Sequence, residues 1–170
     1  MREPSESMAR RMREEDLPQV LAWRNAPDVR RFMLSQHLIS PEEHRAWFER
    51  IQREGTRELL IVESGERPIG FAQFSARSAG GISEWGFYAA PDAPKGSGRL
   101  LGTAALRHAF ETLDLHKVCG QAFAFNEASI HMHRTLGFAQ EGVLREQCLL
   151  EGRHHDLLCF GLLKREWIPR

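Results

Sequence analysis

The sequence has no excess of charge of either sign. Its 23 Lys and Arg residues balance 23 Asp and Glu residues, and the formal net charge of the 170 residues is zero. A nucleic-acid-binding surface depends on a clear excess of positive charge, and this composition does not indicate one. We therefore expect no nucleic-acid partner, and any phosphate-bearing ligand must be held by a few local groups.

Cysteine is scarce and irregularly spaced. Cys119, Cys148 and Cys159 are odd in number, form no C-x-x-C pair and lie in apolar runs. This pattern predicts buried free thiols in a reducing compartment rather than a disulfide framework or a catalytic cysteine.

Histidine pairs offer no metal-binding geometry. His131 and His133 are two residues apart on a predicted helix, so their side chains point in different directions. His154 and His155 are predicted to lie in a hairpin turn. We expect no bound metal.

Long apolar runs are also missing. No stretch approaches about 18 consecutive apolar residues, the length that a membrane-spanning helix needs. The first 16 residues carry charges throughout and contain no apolar segment typical of a signal peptide. The sequence therefore predicts a cytoplasmic protein with no membrane partner.

The chain is predicted to be one α/β (α+β) domain over residues 1–170, with residues 1–7 as a flexible tail. A content of 42% hydrophobic and 27% charged residues suits one buried core. The order β-α-α-β-β-β-α-β-α-β-β favours a mixed, mainly antiparallel central sheet of about six to seven strands flanked by about four helices. The hairpin-rich end offers an edge strand, which makes a homodimer possible.

Two helix starts are visible near the beginning of the chain. Asp16 is predicted to cap a first helix that has Pro18 in its first turn. Ser40 is predicted to cap a second helix that begins at Pro41, and Glu43 completes a capping box.

A glycine-rich segment lies between a predicted strand and a predicted helix. It contains Gly96, Gly98 and Gly102, but neither the Gly-Lys-Ser/Thr of a P-loop nor the spacing of a dinucleotide fingerprint. One interpretation is a turn followed by a glycine that lets two helices pack closely. The other is a nest of backbone amides that binds a pyrophosphate, flanked by Lys95 and Arg99.

Two motifs resemble the GNAT family of N-acetyltransferases. Residues 95–100, Lys-Gly-Ser-Gly-Arg-Leu, resemble its acetyl-CoA loop Q/R-x-x-G-x-G/A, with lysine and Leu100 as departures. Residues 126–138, NEASIHMHRTLGF, resemble its segment N-x-x-A/S-I-x-x-Y-x-x-x-G-F. The resemblance implies the GNAT fold and an enzyme that transfers acetyl from acetyl-CoA to an amine by direct attack on the thioester.

The resemblance also assigns residues to acetyl-CoA and to catalysis. His133 stands where the family usually has a tyrosine general acid, and the alternative is a histidine that only forms hydrogen bonds. Glu84 is the best carboxylate for a general base, unless it is a charge on the cleft rim. Gln121 replaces the glutamate of members that acetylate protein N-termini. The residues expected to bind acetyl-CoA are Phe87, Tyr88, Ala89, Lys95, Gly96, Ser97, Gly98, Arg99, Leu100, Asn126 and Ser129.

A narrower resemblance covers the acceptor-binding part of the chain. Residues 23–48 are similar to family members that acetylate the 4-amine of a UDP-linked 4-amino-4,6-dideoxy sugar in pseudaminic acid biosynthesis. Arg24 and His44 are candidates to bind a diphosphate, and Met33, Leu34 and Trp47 to line the uracil site. Trp47 as a core residue and Arg24 as a surface charge remain alternatives. So do other acceptors, namely a protein N-terminus or another small amine, and a CoA-binding module without catalysis.

Overall fold

A mixed sheet of seven strands forms the centre of the protein. The computed structural model describes residues 7–168. The strand order is β1-β2-β3-β4-β5-β7-β6, and β4 and β5 are the parallel pair. This confirms the predicted mixed, mainly antiparallel sheet. The strands are β1 (Ser7–Arg11), β2 (Arg57–Ser64), β3 (Arg67–Ser75), β4 (Ile82–Ala89), β5 (Lys117–Phe123), β6 (Ala139–Leu150) and β7 (Arg153–Leu163).

Helices cover both faces of the sheet. The helices are α1 (Leu17–Asn25), α2 (Pro27–Arg30), α3 (Pro41–Glu54), α4 (Ser97–Arg107) and α5 (Glu127–Thr135). Four of these match the predicted helices, and α2 is one additional short turn. A π-helical turn, His108–Thr112, continues α4. None of the helices in residues 7–168 is both long and apolar enough to cross a membrane.

The apolar run of β2 is explained by burial on both sides. Leu60 is buried in the core with Phe110 and Phe160, under α4. Its neighbour Ile61 is buried on the other face with Trp23 and the residues of α1 and α3. A strand with both faces covered needs apolar residues at successive positions, not only at alternate ones.

The predicted cap of α3 is present, but its capping box is not. The Ser40 hydroxyl accepts a hydrogen bond from the Glu43 amide at 3.1 Å. The Glu43 carboxylate binds the ring of His37 instead of reaching back to Ser40. Glu43 therefore connects the loop before α3 to the helix through His37.

Asp16 does not cap α1, which corrects the sequence prediction. Its carboxylate oxygens accept two hydrogen bonds from the Arg10 guanidinium, each at 2.8 Å, and a third from the Arg13 amide at 2.7 Å. Arg10 also binds Glu63 on β2. Asp16 thus connects the start of the first helix to the edge strand β1.

The two ends of the predicted topology also differ from expectation. Residues 1–6 of the predicted tail lie outside the described residues, and Ser7 already belongs to β1. His154 and His155 lie in β7 and not in a turn. The turn between β6 and β7 lies just before them, at Glu151 and Gly152, which both have positive φ.

The parallel pair β4 and β5 diverges after three residue pairs. Ile82, Ser83 and Glu84 pair with Lys117, Val118 and Cys119. Beyond Glu84, β4 stays paired with β3 and β5 stays paired with β7. Within residues 7–168 no strand fills the gap, so the sheet opens between Trp85–Ala89 and Gly120–Phe123.

We expect Asp16→Asn to lower the free energy of unfolding by about 2 kcal/mol at pH 7, because it breaks a charge-assisted pair. Burial alone would raise the pKa of Asp16, but the hydrogen bonds from Arg10 and Arg13 outweigh it, and the pKa lies below its ordinary value. This stabilisation is complete above the unfolded pKa of about 3.9 and is lost as pH falls through the lower folded pKa. Urea unfolding of both proteins between pH 7 and pH 2 measures the difference.

Asp92→Asn is the matched control, because Asp92 binds Arg67 with its side chain 75% exposed. Its cost should stay within about 0.5 kcal/mol. An Asp16→Asn difference that does not shrink in acid would contradict the assignment.

Candidate active site

A cleft of about 2040 Å³ occupies the gap between the diverging strands. This exceeds the roughly 300–1,000 Å³ of a site for one small ligand. Residues from both faces of the sheet line it, including Ser129 and Met132 of α5 on one face and Arg24 and Trp47 of α1 and α3 on the other. The cleft therefore passes through the sheet and can hold two substrates that meet between the strands.

The start of α4, on one side of this cleft, has no side-chain cap among the described residues, although the Ser97 and Arg99 amides donate to the Pro94 and Gly96 carbonyl oxygens. Gly96 precedes the helix with φ of 92°, a conformation that favours glycine. Asn126 caps α5 and Ser40 caps α3, but no described side chain caps α4. Lys95 and Arg99 line the cleft there. Unsatisfied amides and two cations suit a pyrophosphate.

The three glycines of this segment serve different purposes. A Cβ on Gly102 would lie 2.5 Å from a methyl group of Leu136, so this glycine allows α4 and α5 to pack closely. A Cβ on Gly98 would lie 3.3 Å from the Met132 sulfur. Gly96 has open space around it. The packing interpretation is therefore correct for Gly102, and pyrophosphate binding by the other two glycines stays a prediction.

Two residues of the predicted loop do not line the cleft. Ser97 is buried, and Leu100 lies outside the cleft wall with its carbonyl bound by the Ser7 hydroxyl. Leu101, the next residue, lines the cleft instead.

The exposed edge of β4 supplies the second wall. Phe87, Tyr88 and Ala89 all line the cleft, as predicted for a pantetheine channel. The side chain of Tyr88, however, belongs to the α1–α3 face and stacks on Phe71 at 5.1 Å between ring centroids. Burial raises the pKa of Tyr88 above its ordinary value, which keeps the phenol neutral.

Asn126 and Ser129 line the cleft at the start of α5. The Asn126 side-chain oxygen accepts a hydrogen bond from the Ser129 amide at 3.1 Å. Its oxygen is therefore occupied as the helix cap, and its amide nitrogen remains for a ligand.

The environment of His133 does not suit a general acid. The side chain is buried, and it is absent from the cleft wall. Nδ1 lies 2.8 Å from the Ser129 carbonyl oxygen, and Nε2 accepts a hydrogen bond from the Trp85 indole N–H at 3.1 Å. Since Trp donates only, this arrangement places the proton on Nδ1. Burial lowers the pKa of His133 to about 4, against a smaller opposing effect of the Ser129 carbonyl.

Gly120 makes room for this hydrogen bond. A Cβ at position 120 would lie 2.5 Å from His133 Nε2 and 2.6 Å from Trp85 Nε1. Gly120 is the first β5 residue after the paired segment, so the Trp85–His133 contact sits where the two strands separate. His133 therefore joins α5 to β4 at the point where the strands separate, in a neutral form that does not favour proton donation.

Glu84 occupies the point of divergence. It is the last β4 residue that pairs with β5, its side chain is exposed, and it lines the cleft. Its amide donates to the Ser75 hydroxyl at 2.9 Å. Gln121 lines the cleft on the opposite strand. A carboxylate at this point can accept a proton from an amine that enters from the α1–α3 face.

All five residues predicted for the acceptor line the cleft, namely Arg24, Met33, Leu34, His44 and Trp47. His44 is 5% exposed and stacks on Trp47, with ring centroids 5.1 Å apart. Burial, and then the nearby Arg24, lower the pKa of His44. His44 is thus a neutral ring at neutral pH, which corrects its predicted role as a cation.

Arg24 is the cation on the inner side of the acceptor half. Its Nη2 donates to the Ser35 carbonyl oxygen at 2.7 Å, which ties the loop before α3 to α1. Its Nη1 is buried and has no hydrogen-bond partner among the described residues. Such a donor calls for an acceptor atom from a ligand, because a buried unsatisfied N–H is costly.

Several cleft residues were not foreseen from the sequence. Gln73 and Ser75 of β3 line the cleft because alternate residues of that strand share one face of the sheet. Pairing β3 with β4 in the sequence would have predicted this. Arg50, Arg53 and Arg57 also line the cleft. The spacing of Arg50 and Arg53 on α3 was visible, but not the direction in which that face of the helix points, and Arg57 begins β2.

Comparison with known proteins agrees with this geometry. The family described as "Acetyltransferase (GNAT) domain" matches residues 8–139. The chain is 30% identical over 145 residues to the SPbeta prophage-derived uncharacterized N-acetyltransferase YokL of Bacillus subtilis, covering 82% of this chain and 81% of YokL. It is 27% identical over 126 residues to the acetyltransferase PseH of Campylobacter jejuni, covering 72% and 76%.

Among solved structures, a spermidine N-acetyltransferase from Vibrio cholerae in complex with CoA and spermine superimposes with a TM-score of 0.88. It covers 95% of this chain and 98% of its own at 22% identity. At that identity the likeness establishes the shared fold and leaves the acceptor open.

We expect Trp85 and His133 to be energetically coupled. Replacing His133 with Phe leaves the buried Trp85 N–H without a partner and should cost about 2 kcal/mol of unfolding free energy. Trp85→Phe removes the donor of the same hydrogen bond. The double variant should therefore lose about 1 kcal/mol less unfolding free energy than the two single losses added together. Urea unfolding at pH 7.5 of the four proteins gives the coupling.

The control cycle pairs Trp85→Phe with Asp16→Asn, which lies in a separate hydrogen-bond network. Those two losses should add. Additive losses for Trp85 and His133 as well would mean that their hydrogen bond contributes nothing.

Proposed function

Because this chain belongs to the GNAT acetyltransferase family and is an acetyl-CoA-dependent N-acetyltransferase, we propose that it acetylates the 4-amine of a UDP-linked 4-amino-4,6-dideoxy sugar, as in pseudaminic acid biosynthesis. The observation that carries this proposal is Arg24, whose buried Nη1 has no partner among the described residues and lines the acceptor half of the cleft. A phosphate oxygen of a nucleotide sugar would satisfy that donor.

In this proposal acetyl-CoA enters from the α4–α5 face. The amides at the start of α4, with Lys95 and Arg99, bind its pyrophosphate. The exposed edge of β4 at Phe87–Ala89 binds the pantetheine arm. The acetyl group then lies where β4 and β5 diverge, and the acceptor approaches from the α1–α3 face.

The chemistry requires one proton to leave the acceptor and one to reach the thiolate. The amine nitrogen attacks the thioester carbonyl, a C–N bond forms and the C–S bond breaks. Amides on the exposed edge of β4 stabilise the negative oxygen of the tetrahedral intermediate. Glu84 takes the proton from the acceptor nitrogen directly or through water, and the departing CoA thiolate takes a proton from solvent water.

The neutral state of His133 fits this proton balance. A histidine with a pKa of about 4 and its proton on Nδ1 facing a carbonyl has none to give to the thiolate. The amine of a hexose is less basic than that of lysine, so part of it is already neutral near pH 7. Such an acceptor demands less from the catalytic groups than a lysine side chain.

Polyamines fit this cleft less well than an anionic acceptor. Four arginines line its acceptor half, against two carboxylates of the wall that have no ion pair among the described residues, Glu49 and Glu84. The Glu43 carboxylate on that side is bound to His37. A polycation gains from unpaired carboxylates and is repelled by guanidinium groups.

We predict that free thiol is released from acetyl-CoA when a UDP-4-amino-4,6-dideoxy sugar is added, and not with spermidine or peptide amines. Arg24→Gln should raise KM for the sugar by roughly tenfold or more, because it removes the fork that binds phosphate. KM for acetyl-CoA should not change. Steady-state thiol release, with Arg153→Gln as an exposed control in the β6–β7 hairpin, measures both constants.

Release with peptide amines alone would replace the sugar by a protein N-terminus as the acceptor. If none of these amines causes thiol release while acetyl-CoA still binds, a binding module without catalysis would be favoured.

We also predict that Glu84→Gln lowers kcat by roughly a hundredfold at pH 7, the usual contribution of a general base. The loss should shrink as pH rises, because the acceptor amine then deprotonates in solution. The pH profile of kcat for wild type, Glu84→Gln and Glu66→Gln measures this, since Glu66 is an exposed carboxylate in the β2–β3 turn. A loss that is constant with pH would assign Glu84 to substrate binding instead.

A further inference from the structure

Arginines outside the cleft include both paired and unpaired ones, and among the described residues Arg30, Arg145 and Arg153 have no ion pair with a carboxylate. Six arginines outside it bind a carboxylate, namely Arg10, Arg11, Arg13, Arg31, Arg45 and Arg67. Within residues 7–168, no cation in the cleft wall has an ion pair with a carboxylate. The unpaired cations of the wall are Arg24, Arg50, Arg53, Arg57, Lys95 and Arg99.

These cations form separate groups. Lys95 and Arg99 lie at the start of α4 and are accounted for by acetyl-CoA. Arg50, Arg53 and Arg57, here called the outer arginines, belong to the second half of α3 and the first position of β2. α3 packs on the opposite face of the sheet from α4. The outer arginines therefore face the acceptor side, and acetyl-CoA does not account for them.

Arg57, the first residue of β2, lies in line with the candidate base on the far side of β3. Arg57 is directly opposite Ser75 in the sheet, and the Ser75 hydroxyl accepts the Glu84 amide proton. Neighbouring strands are about 4.8 Å apart, which places the backbones of positions 57 and 84 roughly 10 Å apart across β3. An aminohexose carries its C4 amine and its anomeric oxygen on opposite sides of the ring. An amine at Glu84 can thus direct the anomeric phosphate toward α3.

The inner end of the acceptor site lacks enough positive charge for a diphosphate. His44 is neutral, which leaves Arg24 as the cation there. A sugar-linked diphosphate carries two negative charges. Arg50 lies six residues after His44 on α3, about 9 Å further along the helix axis, and its guanidinium has no carboxylate partner among the described residues.

We infer that Arg50, Arg53 and Arg57 form an outer anion subsite that binds phosphate of the acceptor. This inference rests on the proposed function and extends it, since it names the part of the chain that neutralises the acceptor's second charge. Guanidinium groups suit this task because each offers two parallel N–H donors to one phosphate. The subsite also selects against acceptors that lack an anionic group.

The test is the binding of UDP to the enzyme saturated with CoA, followed by calorimetry. Saturation with CoA fills the α4 site, so the titration reports on the acceptor side. The Arg50→Gln/Arg53→Gln double variant should bind UDP roughly tenfold or more weakly, with a smaller dependence on salt. Arg57→Gln should weaken binding in the same direction. The Tm of these variants should not change, because the replaced side chains are exposed.

Arg153→Gln is the control, an exposed arginine in the β6–β7 hairpin outside the cleft. UDP affinity in the double variant equal to that of the control would overturn the inference. So would a rise in KM for acetyl-CoA in place of the loss of UDP binding, because the outer arginines would then serve the co-substrate.

Failure of the subsite and failure of the proposed function give different results. If the double variant acetylates the UDP-amino sugar with unchanged kcat and KM, the proposed function stands and the outer anion subsite is wrong. If the sugar is not turned over, inorganic pyrophosphate is titrated instead. Binding that the double variant weakens keeps the subsite and assigns it to another phosphorylated acceptor, and no binding removes both.

Discussion

The separation of β4 and β5 after three residue pairs is the feature on which the rest of the site depends. It exposes the edge of β4, opens a passage through the sheet and places Glu84 at the closed end of the gap. An open sheet edge normally exposes unpaired backbone groups and invites another strand. Here α4, α5 and their aromatic neighbours protect the gap, so the exposed amides stay available for a substrate.

The Trp85–His133 hydrogen bond contributes to keeping these strands apart. Trp85 projects from β4 just past the last pair, and His133 meets it from α5 across Gly120. Phe160 stacks on the imidazole with a centroid distance of 4.6 Å. A histidine enclosed in this way gains packing and loses its role in proton transfer, since a buried imidazolium would lose its hydration. The same helix position can therefore serve catalysis in one sequence and architecture in another.

Patterns along the chain were sufficient for the elements of the fold, and most of the residues predicted for the site line the cleft. Alternation and capping residues located the strands and the longer helices, because those signals are local. The roles of Asp16, Glu43 and His44 could not be predicted in this way. Each depends on a partner or on burial created by distant segments, namely Arg10 on β1, His37 in a loop and the packing of α3 over β3. Leu136 explains Gly102 only after α4 and α5 have been placed together.

Net charge of zero and a cationic cleft are compatible because the ion pairs are distributed unevenly. Carboxylates neutralise the arginines of β1, the first turns and the β2–β3 edge. The exposed pairs among them, such as Arg67–Asp92, contribute little to stability. The cleft cations are left without such partners, so each can meet a ligand without first breaking an internal bond. An anionic acceptor then gains from every cation it reaches, whereas a cationic acceptor must overcome the same field. Under the proposed function, the arginines of the cleft wall that lack carboxylate partners are the groups that favour an anionic acceptor.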